Sequence, residues 1–132
     1  MPATILIVDD DNDLRSSLAI ILGADFEVIE ASNGAEALEH IKAKRPQLTL
    51  LDVSMPGMNV LEVLAAAKAA VPALVVVMLT SQQDIEIAAK ALTLGAVEYV
   101  TKPFDADYIR AEVSRLVHPG KSADGRPWKV IS

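Results

Sequence analysis

Three aspartates, a threonine and a lysine each follow a short apolar run. Asp9 and Asp10 come directly after Ile5-Leu6-Ile7-Val8, Asp52 after Leu48-Thr49-Leu50-Leu51, Thr80 after Val75 to Leu79, and Lys102 shortly after Val97 to Val100. Brought together, they offer hard oxygen donors, a hydroxyl and a permanent positive charge. Carboxylates in one crevice repel each other, so without a compensating cation at least one should keep its proton at a raised pKa. The donors are all oxygen, with no histidine or cysteine among them, which suits Mg²⁺, with Mn²⁺ as a substitute. A carboxylate, a divalent ion, a hydroxyl and a lysine are the parts that stabilise phosphoryl transfer, whose transition state spreads negative charge over equatorial oxygens. The nucleophile implied is an aspartate.

The apolar runs alternate with segments of helical period, the pattern of βα units around a parallel sheet. Thr4 to Val8, Glu27 to Glu30, Leu48 to Leu51, Ala73 to Leu79 and Val97 to Val100 read as five strands. Three are nearly continuously apolar, as strands covered on both faces should be. Between and after them, apolar residues recur three or four apart, giving five helices: Leu14, Leu18, Ile21 and Leu22; Leu38 and Ile41; Leu61 and Leu64; Ile85, Ala88, Ala89 and Leu92; Ile109, Val113, Leu116 and Val117. Asn33 with Glu36 reads as a capping box, Ser81 with Asp84 as a weaker one, and Gly23 and Gly95 as helix stops. Asp11 and Asp13 read as helix-start residues rather than ligands.

In a parallel sheet, strand ends that lead into helices share one edge, and ligands bind in the crevice outside it. That edge would collect Asp9, Asp10, Asp52, Thr80 and Lys102. Each alone has an ordinary explanation: Asp is favoured at turns, Thr80 could cap a strand end and Lys102 could be a solvated charge. Five together at the same end of their strands point to a site.

The 132 residues suit one domain with one core. Composition, 52% hydrophobic and 23% charged, is that of a compact globular chain. The absence of cysteine excludes disulfides and thiolate metal sites, in keeping with a cytoplasmic setting. No basic region precedes the first apolar run, and Lys68 and Pro72 break the most apolar stretch, so neither a signal peptide nor a membrane partner is expected. A net charge of -6 argues against nucleic acid as a partner of this domain. After Val117, turn-forming residues from His118 to Pro127 suggest a tail or linker start over 119–132, in which Trp128 stays loose, docks back on the domain at 1–118 or begins a segment going elsewhere.

Four phrases resemble the receiver domain family of response regulators in two-component signalling, over roughly residues 3 to 117. They are Ile5-Leu6-Ile7-Val8-Asp9-Asp10-Asp11, Leu50-Leu51-Asp52-Val53-Ser54-Met55-Pro56-Gly57-Met58, Leu79-Thr80-Ser81, and Gly95-Ala96-Val97-Glu98-Tyr99-Val100-Thr101-Lys102-Pro103-Phe104. The resemblance implies an α/β, flavodoxin-like, doubly wound five-stranded parallel sheet of order 2-1-3-4-5 with five helices. It implies Asp52 as the phosphoacceptor, charged by a histidine kinase, a phosphotransfer protein or a small phosphodonor. Asp10 and Asp52 would bind Mg²⁺ directly, Asp9 through water, and the Ser54 carbonyl would complete the protein ligands. Lys102 would pair with phosphoryl oxygens, and the bond to Pro103 would be cis. Thr80 and Tyr99 would form the switch that alters the α4-β5-α5 surface for a downstream protein target, with homodimerisation on phosphorylation as one outcome.

Asn59-Val60 departs from the acidic residue and glycine common in the family, and Val60 does not easily take a positive φ, so the loop before the third helix is expected to differ. Ser54, Ser81 and Gln82 flank the pocket where the family varies, and are expected to set the dephosphorylation rate. Such a chain is not an enzyme beyond its own phosphorylation and dephosphorylation. The alternative is the regulatory N-terminal receiver of a longer enzyme or DNA-binding regulator. A free-standing aspartyl-phosphate phosphatase fits less well, because Ser54 stands where such enzymes commonly need an acid.

Overall fold

The computed structural model describes residues 3–57 and 59–118. The tail around Trp128 lies outside the described residues. The elements run β1 (Thr4–Val8), α1 (Asn12–Gly23), β2 (Glu27–Ala31), α2 (Gly34–Lys44), β3 (Leu48–Asp52), α3 (Val60–Ala70), β4 (Val75–Thr80), α4 (Ile85–Thr93), β5 (Glu98–Thr101) and α5 (Ala106–Val117), with a 3₁₀ turn at Gln82–Asp84 before α4. All strand pairs are parallel and the order is β2-β1-β3-β4-β5, as expected. The chain steps outward from β1 to β2 and returns to β3 on the other side of β1. The crevice where strand order reverses therefore opens between the ends of β1 and β3.

Side-chain alternation assigns each strand residue to one of two cores. Leu6, Val8, Leu51, Val76 and Met78 pack with Ala37, Ile41, Leu64, Ala67, Ala88 and Ala91 from α2, α3 and α4. Ile5, Ile7, Leu48, Leu50, Val77 and Leu79 pack with Leu18, Leu22, Ile109 and Val113 from α1 and α5. The inner strands β1, β3 and β4 are the apolar three, whereas β2 and β5 form the edges and carry Glu27, Glu30 and Glu98.

Helix starts cluster at the same edge as the strand ends. Asp11 accepts hydrogen bonds from the amides of Asp13 and Leu14, Asn33 from Glu36, Asn59 from Leu61 and Glu62, and Asp105 from Tyr108. Each satisfies amides that helix geometry leaves unpaired. Asn59 explains the departure at Asn59-Val60: Val60 is the first residue of α3 and is buried, while the left-handed position falls earlier, on Gly57 at φ 71°.

Several expected boundaries move. β4 starts at Val75 rather than Ala73, because Leu74 closes a turn by donating its amide to the Val71 carbonyl. Gly95 does close α4, at φ 112°, and the stem of Lys68 lies 3.0 Å from where a Cβ would be. Gly23 is instead the last helical residue of α1, and the following Ala24 stays right-handed. Ser81 makes no backbone cap; its hydroxyl donates to the Asp84 carboxylate at 3.1 Å. The turn that ends α2 is left-handed at Arg45, without the glycine that would have announced it.

Thr49 in β3 is 2% exposed, and its hydroxyl is the one buried side-chain polar atom without a partner among the described residues. A buried hydroxyl with no partner costs about 1–3 kcal/mol. Thr49→Val, which keeps the shape and removes the orphan, should therefore raise unfolding free energy by about 1 kcal/mol in urea titrations. A loss of that size would show that the hydroxyl is satisfied.

Candidate functional site

The sheet places the acidic residues by extending its ladder past the strand ends. The Asp9 amide donates to the Ala31 carbonyl at 3.1 Å, Val53 to Leu79 at 2.9 Å, and Lys102 to Thr80 at 2.7 Å. The backbone behind each site residue is thus tied to the neighbouring strand before any side chain is considered.

Carboxylate oxygens of Asp9, Asp10 and Asp52 lie within 4.8 Å of one another. Asp9 is 0% and Asp52 3% exposed, while Asp10 faces solvent. Lys102 reaches in from beyond β5, its Nζ 3.0 Å from Asp52 Oδ1 and 3.4 Å from Asp9 Oδ2. Asp9 also accepts the Asp11 amide on Oδ1 at 2.9 Å, so both its oxygens are engaged. Ionised, three carboxylates against one ammonium leave an excess of two negative charges, a deficit one divalent cation would fill. All-oxygen donors with one open carboxylate suit Mg²⁺ or Mn²⁺.

The electrostatics agree with that deficit. Burial, reinforced by the charge of Asp52, pushes the Asp9 carboxyl above its usual range, against the pull of the Asp11 amide and Lys102. For Lys102, burial works to lower the pKa, but the hydrogen bond and charge of Asp52, with Asp9, outweigh it and raise the pKa. One lysine holds its proton firmly and still does not satisfy both partners.

Thr80 ends β4 with 1% exposure, its hydroxyl donating to the Ser81 carbonyl at 3.0 Å. Tyr99 lies half-buried on β5, packed against the core under α2, α3 and α4. The Lys102–Pro103 peptide is cis. Ser54 is exposed two residues beyond Asp52. The sequence reading missed Arg15, whose guanidinium donates to the Asp9 carbonyl at 2.6 Å and to Glu30 at 3.1 Å. A cation at the start of a helix runs against the macrodipole, which was its only signal.

The response regulator receiver domain pattern matches residues 5–114. This chain belongs to that family. The receiver is 39% identical over 112 residues to the DNA-binding transcriptional regulator NtrC of Escherichia coli, covering 84% of this chain and 24% of that protein. It is 34% identical over 118 residues to sporulation initiation phosphotransferase F of Bacillus subtilis, covering 89% of this chain and 95% of the other. The chain thus spans about a quarter of the longer regulator and nearly all of the shorter protein. Among solved structures, a CheY-like receiver domain protein from Methanospirillum hungatei superposes with TM-score 0.83 at 29% identity, covering 89% of this chain and 94% of that one. The receiver domain of NtrX from Brucella abortus gives 0.81 at 34%, covering 86% and 97%. The receiver is a phosphoacceptor domain of two-component signalling, a class that partners with histidine kinases and phosphotransferases. Among its described residues no helix is long and apolar enough to cross a membrane.

The raised pKa of Asp9 fixes the sign of a pH effect. Because the folded group holds its proton more tightly than the unfolded one, the cation-free receiver loses stability as pH rises from 3.8 through the raised value. Asp9→Asn removes that loss. In urea melts with chelator, the variant should be the more stable protein at neutral pH, and its advantage should shrink towards zero below pH 3.8. An advantage that stayed constant with pH would contradict the electrostatic origin.

Proposed function

We propose that the receiver accepts a phosphoryl group on Asp52 and thereby changes the surface formed by α4, β5 and α5, which binds a downstream protein. The observation that carries this reading is a nearly buried carboxylate held 3.0 Å from a lysine and within reach of two further acids, with room for a divalent ion. The donor is phosphohistidine on a histidine kinase or phosphotransfer protein, or a small acyl phosphate.

In the reaction an Asp52 oxygen attacks phosphorus, the new O–P bond forms, and the bond to the donor's leaving group breaks. Bound Mg²⁺ or Mn²⁺ supplies Lewis-acid neutralisation of the phosphoryl oxygens. Asp10 and Asp52 would hold the ion, with the Ser54 carbonyl as a further ligand. Asp9, its oxygens already taken by Lys102 and the Asp11 amide, would act through water. Lys102 shifts from the Asp52 carboxylate to the incoming phosphoryl oxygens.

Thr80 is the sensor. Its hydroxyl, which donates to the Ser81 carbonyl, turns to the phosphoryl group, and the ring of Tyr99 enters the vacated space. A phosphoryl group shifts such an equilibrium only by its differential interaction with the two states, about 1–3 kcal/mol for typical coupling. Ser54, Ser81 and Gln82 tune the lifetime of the modified state. Residues 1–118 form the receiver and 119–132 a tail or linker, in a cytoplasmic protein that turns over no substrate besides its own aspartyl phosphate. The match to nearly all of a short phosphotransferase favours output by protein binding, and the match to a quarter of a transcriptional regulator supports a second reading as the regulatory part of a longer protein.

Incubated with acetyl phosphate and Mg²⁺, the receiver should gain one phosphoryl group by intact mass, and Asp52→Asn none. Equal labelling of the variant would remove Asp52 as acceptor. Thr80→Ala should still be labelled, but its phosphorylation-dependent gain in partner affinity should fall from about 5- to 150-fold towards unity in a pull-down titration. An undiminished gain would defeat the switch assignment.

A further inference from the structure

Arg15 lies in the first turn of α1, where the helix dipole disfavours a cation, and yet its side chain is only 14% exposed. Each of its three guanidinium nitrogens makes a hydrogen bond. Nη1 donates to the Asp9 main-chain carbonyl at 2.6 Å, Nε to Glu30 Oε1 at 3.1 Å, and Nη2 to Asn12 Oδ1. The bond to the Asp9 carbonyl, on the backbone of the acidic loop, is shorter than the ion pair to Glu30.

That contact completes the restraints on one peptide. The Asp9 amide is held by Ala31 and the Asp9 side chain by Asp11 and Lys102, which leaves the Asp9 carbonyl, and so the plane of the Asp9–Asp10 peptide, to Arg15. Asp10 faces solvent at the mouth of the site, and the direction of its side chain follows from that peptide plane. Through Glu30, at the end of β2, the same guanidinium also pins the loop to the neighbouring strand.

We infer that Arg15 is a positioning residue for the divalent cation: it touches none of the three carboxylates, but by clamping the Asp9 carbonyl it aims Asp10 at the ion. This rests on the proposed reading of the site. Groups that orient metal ligands without binding the metal typically alter affinity about 10- to 100-fold when removed. Lysine carries the charge but lacks the planar fork that serves three acceptors, so it should not restore the clamp.

The test is Mn²⁺ binding to the whole chain, followed by electron paramagnetic resonance of the free ion, with thermal unfolding measured in parallel. Arg15→Ala and Arg15→Lys should weaken Mn²⁺ about tenfold or more, whereas Glu30→Gln, which spares the carbonyl contact, should change it less than threefold. Should Arg15→Ala fail to fold, Arg15→Lys decides. Wild-type affinity in a folded Arg15→Lys, or a variant that loses thermal stability while binding Mn²⁺ normally, would overturn the inference and leave the proposed function standing. No Mn²⁺ binding by the wild-type chain would overturn both.

Discussion

Like charges held together with too few counter-charges govern this molecule. Asp9, Asp10 and Asp52 bring three carboxylates within 4.8 Å, and among the described residues Lys102 alone answers them, 3.0 Å from Asp52 and 3.4 Å from Asp9. Burial removes the water that would otherwise screen the repulsion; that loss of water is the main cause of the raised pKa of Asp9, and the charge of Asp52 adds to it. Such a cluster is costly to the apo fold. It would also make the site responsive, since a divalent ion changes the local charge by two units and phosphorylation of an ionised carboxylate changes it by about one in the opposite direction.

The rest of the fold restrains that repulsion. Three apolar inner strands, packed on both faces, form a rigid platform, and the ladder of the sheet continues one residue past the ends of β1, β3 and β5. Those extra backbone bonds fix Asp9, Asp52 and Lys102 from behind. The helices that follow turn their amide ends towards the same edge, and their Asp and Asn caps satisfy those amides locally. The only site carboxylate left exposed is Asp10, which is where an ion from solvent would arrive.

Much of this was legible because it follows from period and position. Alternating β-branched runs and helical spacing located the five strands and five helices, and the rule that a parallel sheet aligns its strand ends put Asp9, Asp10, Asp52 and Lys102 at one edge, where the structure brings them together. The order of the strands was different: it came from the family resemblance, because periodicity places residues on faces without saying which strand lies beside which. Boundaries were less legible where tertiary contacts decide them. Ala73 and Leu74 look like strand, yet a turn to Val71 holds them outside β4. Gly23 looks like a residue just past a helix end, yet it is itself the last residue of α1, while Arg45 takes the left-handed turn without a glycine. Arg15 was missed because its value lies in a backbone carbonyl, and a carbonyl has no letter in the sequence.

The central claim is that the excess negative charge at the strand ends binds one divalent cation. Magnesium titration followed through backbone amide resonances tests it most directly. The account predicts a single saturable event with the largest shifts at Asp10, Val53, Ser54 and Lys102. Shifts scattered over the acidic surface, or none up to millimolar magnesium, would contradict it.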